Sequence, residues 1–214
     1  MGRLKSENRA RESIAVRGAA LMQAGLTPGT SGNISIRLDD GYLITPTNSR
    51  LGELDPTDIA KVDWDGRHVS GKKPSKEAFL HLKMLEQRRS DTAVVLLHST
   101  HSVAVSCLGG LDETNVLPPI TAYYAMRVGR LPLVPYFRLG DMALADAGEA
   151  YAAEHHAVLL SNHGPVVSGK TLDEAASAIE ELEETAKLYF ILRGSEVRLL
   201  NEDQLRDLAE AFGS

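Results

Sequence analysis

Two histidines and a glutamate stand at positions where proteins commonly bind divalent metals. His98 follows the apolar run at residues 94–97, and His163 follows a second apolar run at residues 158–160. Glu77 follows a Pro-Ser-Lys sequence that is typical of a helix start. Imidazole nitrogens and carboxylate oxygens are the usual protein ligands of zinc and related ions. Two strand-end imidazoles and one helix-start carboxylate therefore predict a divalent-metal site.

Leu96 conflicts with a complete site of this kind. Residues two apart in a strand share a face, so Leu96 occupies the position from which a further imidazole would join His98. An aliphatic side chain cannot coordinate a metal. His101 lies three residues after His98, so on a continuous strand it points the other way and would serve only if the strand turned first.

Each candidate also has an ordinary structural interpretation. A glutamate in the first helical turn more often complements the helix dipole, and the functional alternative for Glu77 is a carboxylate that binds a metal or moves a proton. A lone histidine at a strand end is usually structural, and His81, one helical turn after Glu77, is expected to be packed or on the surface. The residues alone leave these alternatives open.

Three polar loops at the ends of predicted elements have the composition of a phosphate pocket. They cover residues 30–33, 45–49 and 75–76. Glycine allows a ligand to approach the backbone, while hydroxyls, free N–H groups and a helix start attract an anion. The same residue types also form ordinary turns, so each loop taken alone is a weak signal.

Length, net charge and cysteine content restrict the function further. At 214 residues, with no linker or repeat, residues 1–214 are predicted to form a single domain. A net charge of −6 argues against non-specific binding to nucleic acid or an acidic membrane, although an anionic substrate remains possible. One cysteine, Cys107, fits a reducing compartment. With no secretion signal and no apolar run near the roughly 18 residues of a membrane span, we expect a cytoplasmic protein.

The elements that must position these residues mix helices and strands. Apolar periodicity, caps and turn signals predict both types of element along the chain. The predicted helices cover residues 6–24, a segment that starts at Ser75, residues 121–128, 141–155, a long helix after a capping box at Thr171 and Glu174, and 201–212. The predicted strands cover residues 34–38, 42–45, a hairpin around 62–66, 94–97, an edge strand at 133–136, 158–160 and 166–167. Hairpins in the first half argue against a purely parallel sheet and favour a mixed α/β chain.

The order of these motifs resembles one known family. The motifs are Ser31-Gly32-Asn33-Ile34-Ser35, Ile44-Thr45-Pro46-Thr47, Pro74-Ser75-Lys76-Glu77, His98 and Asn162-His163-Gly164. Together they resemble the class II aldolase family, which includes sugar-phosphate aldolases, ribulose-5-phosphate 4-epimerase and the adducin head domain. The resemblance covers about residues 8–193. Longer stretches at 97–106, 119–124 and 162–170 look like its branch of bacterial 3-oxo-tetronate 4-phosphate decarboxylases.

The resemblance implies a fold, an assembly and site residues. The fold is a three-layer α/β/α sandwich on a largely antiparallel sheet, and the assembly is a homotetramer with active sites between subunits and a divalent metal, usually zinc. Residue matching implies that the phosphorylated end of the substrate is held by Gly32, Asn33, Thr47, Asn48, Ser75 and Lys76. Glu77 matches a proton-transfer residue near the metal, and His98 and His163 match metal ligands. Tyr123, or its neighbour Tyr124, matches a tyrosine supplied across the subunit interface.

Two departures from the family pattern affect the expected chemistry. Lys76 stands where the aldolases usually have serine, which favours the decarboxylase branch, and Leu96 stands where the family's first ligand histidine belongs. The implied reaction removes carbon dioxide from a 3-oxo-tetronate 4-phosphate through an enediolate, which a metal would stabilise, and gives dihydroxyacetone phosphate. A sugar-phosphate aldolase or epimerase is an alternative. A metal-free, adducin-like binding or scaffold domain is another, and Leu96 favours it.

Overall fold

A computed structural model of the protein describes residues 2–138 and 140–212, with side chains from residue 6 onward. Within these residues eight strands form one sheet: β1 (Asn33–Leu38), β2 (Gly41–Ile44), β3 (Ala60–Val62), β4 (His68–Ser70), β5 (Ala93–Leu96), β6 (Leu133–Val134), β7 (Ala157–Leu160) and β8 (Gly164–Gly169). Their order is β4-β3-β2-β1-β5-β8-β7-β6. Only the β6–β7 pair is parallel, so the prediction of a largely antiparallel sheet is confirmed.

Helices cover both faces of this sheet. In the described part of the chain they are α1 (Gly2–Gln23), α2 (Ala78–Gln87), α3 (Thr100–Ser106), α4 (Ala122–Arg127), α5 (Met142–Ala152), α6 (Leu172–Ile191) and α7 (Glu202–Phe212), with a short 3-10 helix at Leu51–Glu53. The predicted cap of α6 is present, because Thr171 Oγ1 accepts the Glu174 N–H at 3.1 Å. None of these helices is both long and apolar enough to cross a bilayer.

Alternation along the strands divides the apolar side chains between two cores. Ile34, Val95 and Val167 belong to a core that includes buried residues of α1, α3, α4 and α6. Val94 and Leu96, on the opposite face of β5, belong to a second core with α2 and α5. Helices therefore pack on both sides of the sheet, and the predicted three-layer α/β/α sandwich is confirmed.

Two of the local predictions that differ from the structure concern residues near the candidate site. Helix α2 begins at Ala78, so Glu77 is its N-cap residue rather than part of the first turn. Strand β5 ends at Leu96, and α3, which was not predicted, follows from Thr100. The first N–H groups of α3 donate to the Glu183 carboxylate on α6, from His101 at 2.9 Å and Ser102 at 2.8 Å. This stabilisation comes from a residue some 80 positions away, which local patterns cannot reveal.

Candidate active site

The three polar loops converge on one cavity of about 210 Å³. Its lining includes Thr30, Ser31, Gly32, Asn33, Pro46, Thr47, Asn48, Ser75, Lys76, Glu77 and His98. Gly32 has φ 82°, and a Cβ there would lie 2.9 Å from Thr27 Oγ1 and 3.1 Å from the Leu96 carbonyl oxygen, so a side chain at this position would clash. Asn48 also adopts a left-handed conformation, with φ 59°. The cavity brings backbone turns, hydroxyls and one ammonium group together, as an anionic ligand requires.

Glu77 is held at the inner end of this cavity by two neighbouring side chains. Asn33 Nδ2 donates to Glu77 Oε2 at 3.0 Å, and Ser75 Oγ donates to the same oxygen at 2.8 Å. Among the described residues, Glu77 Oε1 accepts no hydrogen bond. The carboxylate is thus fixed through one oxygen while the other stays available to a ligand. Asn33 and Ser75, matched above to substrate binding, orient Glu77.

His98 and His163 meet beside Glu77. Their ring centroids are 4.8 Å apart and the rings are nearly perpendicular, at 81°. Burial lowers the pKa of both imidazoles. For His163 the pKa falls to about 4, with a further contribution from His98 and an opposing one from Glu77. Both rings are therefore neutral near pH 7 and carry a free lone pair.

The buried Nε2 of His163 has no hydrogen-bond partner within the described residues. Buried polar atoms in native proteins are nearly always paired, so an unpaired one in a cavity wall fits a ligand or a metal. His98 and His163 are the side chains that would hold such an ion, with Glu77 beside them. The types of donor atom in this set support a metal, and the number of ligands is the remaining requirement.

Leu96 stands at the position where the family resemblance implies a further ligand histidine. This side chain is fully buried in the core between the sheet and α2 and α5, and it offers no donor atom. His101 does not replace it, because it lies on α3 with its Nδ1 2.8 Å from Glu183 Oε1 and is absent from the lining of the cavity. Across residues 2–138 and 140–212, no group of three or more His, Cys, Asp or Glu side chains is placed to hold a metal. Catalytic zinc sites use three protein ligands, so the residues fit a metal only incompletely.

A second cavity, of about 520 Å³, shares His98 with the first. Its lining also includes Pro28, Thr100, Val103, Tyr136, Phe137, Asn162 and His163. The polar loops lie on one side of the two histidines and more apolar side chains lie on the other. A small ligand anchored in the polar cavity would extend past Glu77 towards the imidazoles.

The two tyrosines matched to an interface role are in different environments. Tyr124 is 1% exposed, and burial raises the pKa of its phenol. Tyr123 is 60% exposed, lies outside both cavities and stacks against Arg127, whose guanidinium carbon is 5.5 Å from the ring centroid. Of this pair, only Tyr123 is accessible to another subunit.

Sequence reasoning did not assign a role to two polar residues behind the cavity. Ser35 and His81 are both fully buried and bond to each other, and His81 also bonds to Asn33. His81 is packed, in agreement with one of its two expected placements. Its spacing of four residues from Glu77, and the shared strand face of Asn33 and Ser35, were signals available in the sequence.

The chain is similar to known proteins in both sequence and structure. The model of the "Class II Aldolase and Adducin N-terminal domain" matches residues 12–190. The chain is 48% identical to the 3-oxo-tetronate 4-phosphate decarboxylase of Pectobacterium atrosepticum, over 96% of this chain and 95% of that protein. It is 34% identical to the L-fuculose phosphate aldolase of Haemophilus influenzae, over 90% and 88%. The crystal structure of YgbL from Escherichia coli superposes with a TM-score of 0.92 at 46% identity, covering 95% of this chain and 99% of that one.

Proposed function

This chain belongs to the class II aldolase and adducin family, and we propose that it decarboxylates a 3-oxo-tetronate 4-phosphate to dihydroxyacetone phosphate. The observation that carries the proposal is its 48% identity to a curated decarboxylase across nearly the full length of both proteins. The aldolase relative is more distant, at 34% identity, and so supports the alternative reaction less. Members of this family generally depend on a divalent metal.

The cavity formed by the three loops is proposed to hold the phosphate of the substrate. Lys76 supplies a positive charge in the cavity wall, and the left-handed turns at Gly32 and Asn48 also line the cavity, where such turns suit an anion. The rest of the four-carbon chain then extends towards Glu77, His98 and His163. This orientation is supported by the position of His98, which lines both cavities.

Glu77 is proposed to deliver the proton. The substrate has its carboxylate on C1, a hydroxyl on C2, a ketone on C3 and the phosphate on C4. When the C1–C2 bond breaks, carbon dioxide leaves and the electron pair forms an enediolate across C2 and C3. The Glu77 carboxyl group then protonates C2 and is recharged with a proton from solvent. The two bonds to its Oε2 hold the carboxyl group in place for this transfer.

Neutral His98 and His163 are proposed to face the oxygens on C2 and C3. A divalent metal, proposed to be zinc, would supply a Lewis acid for the developing negative charge when bound by these two imidazoles. The missing ligand at Leu96 means that this chain binds the ion with fewer protein groups. A homotetramer that supplies Tyr123 across the interface, and a cytoplasmic location, remain part of the proposal.

A paired substrate assay tests the function. Purified protein supplied with Zn²⁺ is given 3-oxo-tetronate 4-phosphate or L-fuculose 1-phosphate, and the release of dihydroxyacetone phosphate is followed in both. We expect turnover of the sugar-acid phosphate and at most slow turnover of the sugar phosphate. The reverse preference would assign the chain to the aldolases. Absence of turnover together with absence of stoichiometric zinc would favour the adducin-like scaffold.

A further inference from the structure

A chain of buried polar side chains runs behind Glu77 and away from the cavity. Ser35 Oγ lies 2.7 Å from His81 Nδ1, and His81 Nε2 lies 2.5 Å from Asn33 Oδ1. Asn33 Nδ2 continues the chain to Glu77 Oε2 at 3.0 Å. Ser35 and His81 are 0% exposed and Asn33 is 4% exposed, so solvent does not compete for these bonds.

The hydrogen bonds in this series are all donated in one direction, from Ser35 towards Glu77. The Glu77 carboxylate only accepts, so the amide nitrogen of Asn33 must face it. The amide oxygen of Asn33 then faces His81, and because this oxygen cannot donate, His81 Nε2 must carry the proton. The neutral ring leaves its Nδ1 lone pair to accept from the Ser35 hydroxyl. Ser35, His81 and Asn33 therefore donate in series towards Glu77.

The fold explains why these groups meet. Asn33 and Ser35 are two residues apart on β1 and point to the same face of the sheet, towards α2. Glu77 and His81 are four residues apart, on one face of the start of α2, and the His81 N–H donates to the Glu77 carbonyl oxygen at 3.2 Å. Two side chains of the strand, Asn33 and Ser35, are thus hydrogen-bonded to two side chains of the helix, Glu77 and His81.

We propose that His81 is a positioning residue that fixes the amide orientation of Asn33 and, through it, the carboxylate of Glu77. The Glu77 carboxylate and the His81 N–H select the same amide orientation from opposite ends, and without the imidazole the amide oxygen would lose its donor and only the contact with Glu77 would hold the side chain. An Asn33 turned by 180° would present an oxygen to the carboxylate and repel it. The assignment rests on the proposed role of Glu77 in proton transfer, but the geometry can be measured independently.

Nitrogen-15 NMR of the imidazoles tests the geometry without any substrate. His81 is identified by its absence in His81→Phe, and the two ring nitrogens report which one is protonated. We expect the Nε2–H tautomer, unchanged between pH 5 and 8, and a shift of the Asn33 side-chain amide in the variant. An Nδ1–H tautomer, or an Asn33 amide that does not respond, overturns the proposal even if the enzyme decarboxylates its substrate.

Kinetics then test the consequence for Glu77. His81→Phe keeps a flat ring but removes both polar atoms, and we expect kcat to fall about 10- to 100-fold with KM within about threefold, because misplaced catalytic groups lose rates of this order. His81→Gln, which retains a donor, should recover part of the loss. His156→Phe removes a half-buried histidine that lines neither of these two cavities, and it should leave kcat near the original value.

Ser35→Ala tests the same hydrogen-bonded series, and it can be measured even if His81→Phe does not fold. Removing only the hydroxyl should lower kcat by a smaller factor, and the double variant should be no slower than His81→Phe, because both changes interrupt one chain. Unchanged kcat in folded His81 and Ser35 variants, or losses that multiply, would refute the positioning role. Failure of every variant and of the original chain to turn over substrate would refute the proposed function, while the NMR result would still decide the tautomer.

Discussion

Leu96 lies directly across the sheet from Asn33, as its registered partner on the neighbouring antiparallel strand. The two side chains therefore share the face of the sheet that leads to His98 and Glu77. Leu96 is aliphatic and fully buried. In this register a side chain without a donor atom lies opposite Asn33, which donates to Glu77.

Leu96→His is expected to tighten zinc binding. A structural zinc site with four ligands is worth roughly 10 kcal/mol or more, so one added imidazole should strengthen binding by about 100-fold. The buried polar ring should also destabilise the metal-free protein by about 1–3 kcal/mol. Isothermal titration with Zn²⁺ and urea unfolding measure the two effects.

Leu96→Gln is the matched control for that substitution, because it adds polarity at the same position without an imidazole. It should be destabilised by a similar amount and gain little zinc affinity. If the original chain already binds one equivalent of zinc as tightly as Leu96→His, position 96 is not the missing ligand.

Glu77→Gln is expected to lower turnover by about 100-fold or more, because it keeps the shape and an acceptor but loses the transferable proton. Glu86→Gln, at an exposed position on the same helix, provides the control and should be close to normal. The measurement is initial decarboxylation rate at saturating substrate. Near-normal turnover in Glu77→Gln would assign the proton to another group.

Lys76→Gln is expected to weaken phosphate binding about tenfold, which corresponds to roughly 1.4 kcal/mol for one charge-assisted contact. The measurements are KM for the substrate and the inhibition constant of inorganic phosphate, both of which should rise. Lys73→Gln, on the exposed approach to the same loop, does not line the cavity and should change neither constant. Equal effects of the two substitutions would indicate only a general loss of charge.

The stability of the protein should depend on pH through His81. Burial lowers the pKa of this imidazole to about 3, whereas in the unfolded chain it titrates near 6.5. The unfolded state therefore binds an extra proton between these values. The contribution of His81 is complete above pH 6.5 and is lost as the pH falls towards 3, with a slope approaching about 1.4 kcal/mol per pH unit.

Urea unfolding between pH 4.5 and 7.5 measures this slope. His81→Gln should make it shallower by close to one proton, while other buried histidines contribute equally to both proteins. Ser35→Ala retains the imidazole, so it should lower stability at every pH and preserve the slope. An unchanged slope in His81→Gln would show that His81 is already protonated in the folded state.

Tyr123 should act from one subunit on the site of another. Tyr123→Phe and Glu77→Gln are each expected to be nearly inactive, but subunits carrying one change each should form some mixed interfaces with an intact tyrosine and glutamate. The two variants are co-expressed with different tags, and assemblies that carry both tags are isolated. Up to about a quarter of their active sites should combine an intact glutamate with an intact tyrosine, so up to about a quarter of the original activity should return. Absence of complementation in verified mixed assemblies would place Tyr123 outside the neighbouring site.

Much of this arrangement could be predicted from the sequence because it depends on local patterns. Strand ends, caps and polar loops indicated Gly32, Thr47, Lys76 and His98 as candidate site residues, and the structure places all four around one cavity. The resemblance of ordered motifs supplied the sandwich, which periodicity alone left as a mixed α/β chain. The strand-to-helix turn after Leu96 was not predictable, because a distant carboxylate on α6 satisfies the N–H groups at the start of α3.

The role of His81 could not be predicted for a related reason. A buried histidine is defined by its partners, and those of His81 lie 46 and 48 residues away, on a neighbouring strand. The spacing from Glu77 indicated a shared helix face, but only the pairing of α2 with β1 shows that Asn33 bridges the two side chains. Tertiary contacts of this kind decide which polar residues orient a site and which only pack.

The most direct test of the proposed reaction follows the fate of C1. Substrate labelled with carbon-13 at C1 is incubated with the protein in deuterium oxide and monitored by NMR. We expect all of the label to appear as carbon dioxide and bicarbonate, and each dihydroxyacetone phosphate to gain one deuterium on the former C2. Retention of the label in a phosphorylated product, or its release in an aldehyde, would contradict the decarboxylase assignment.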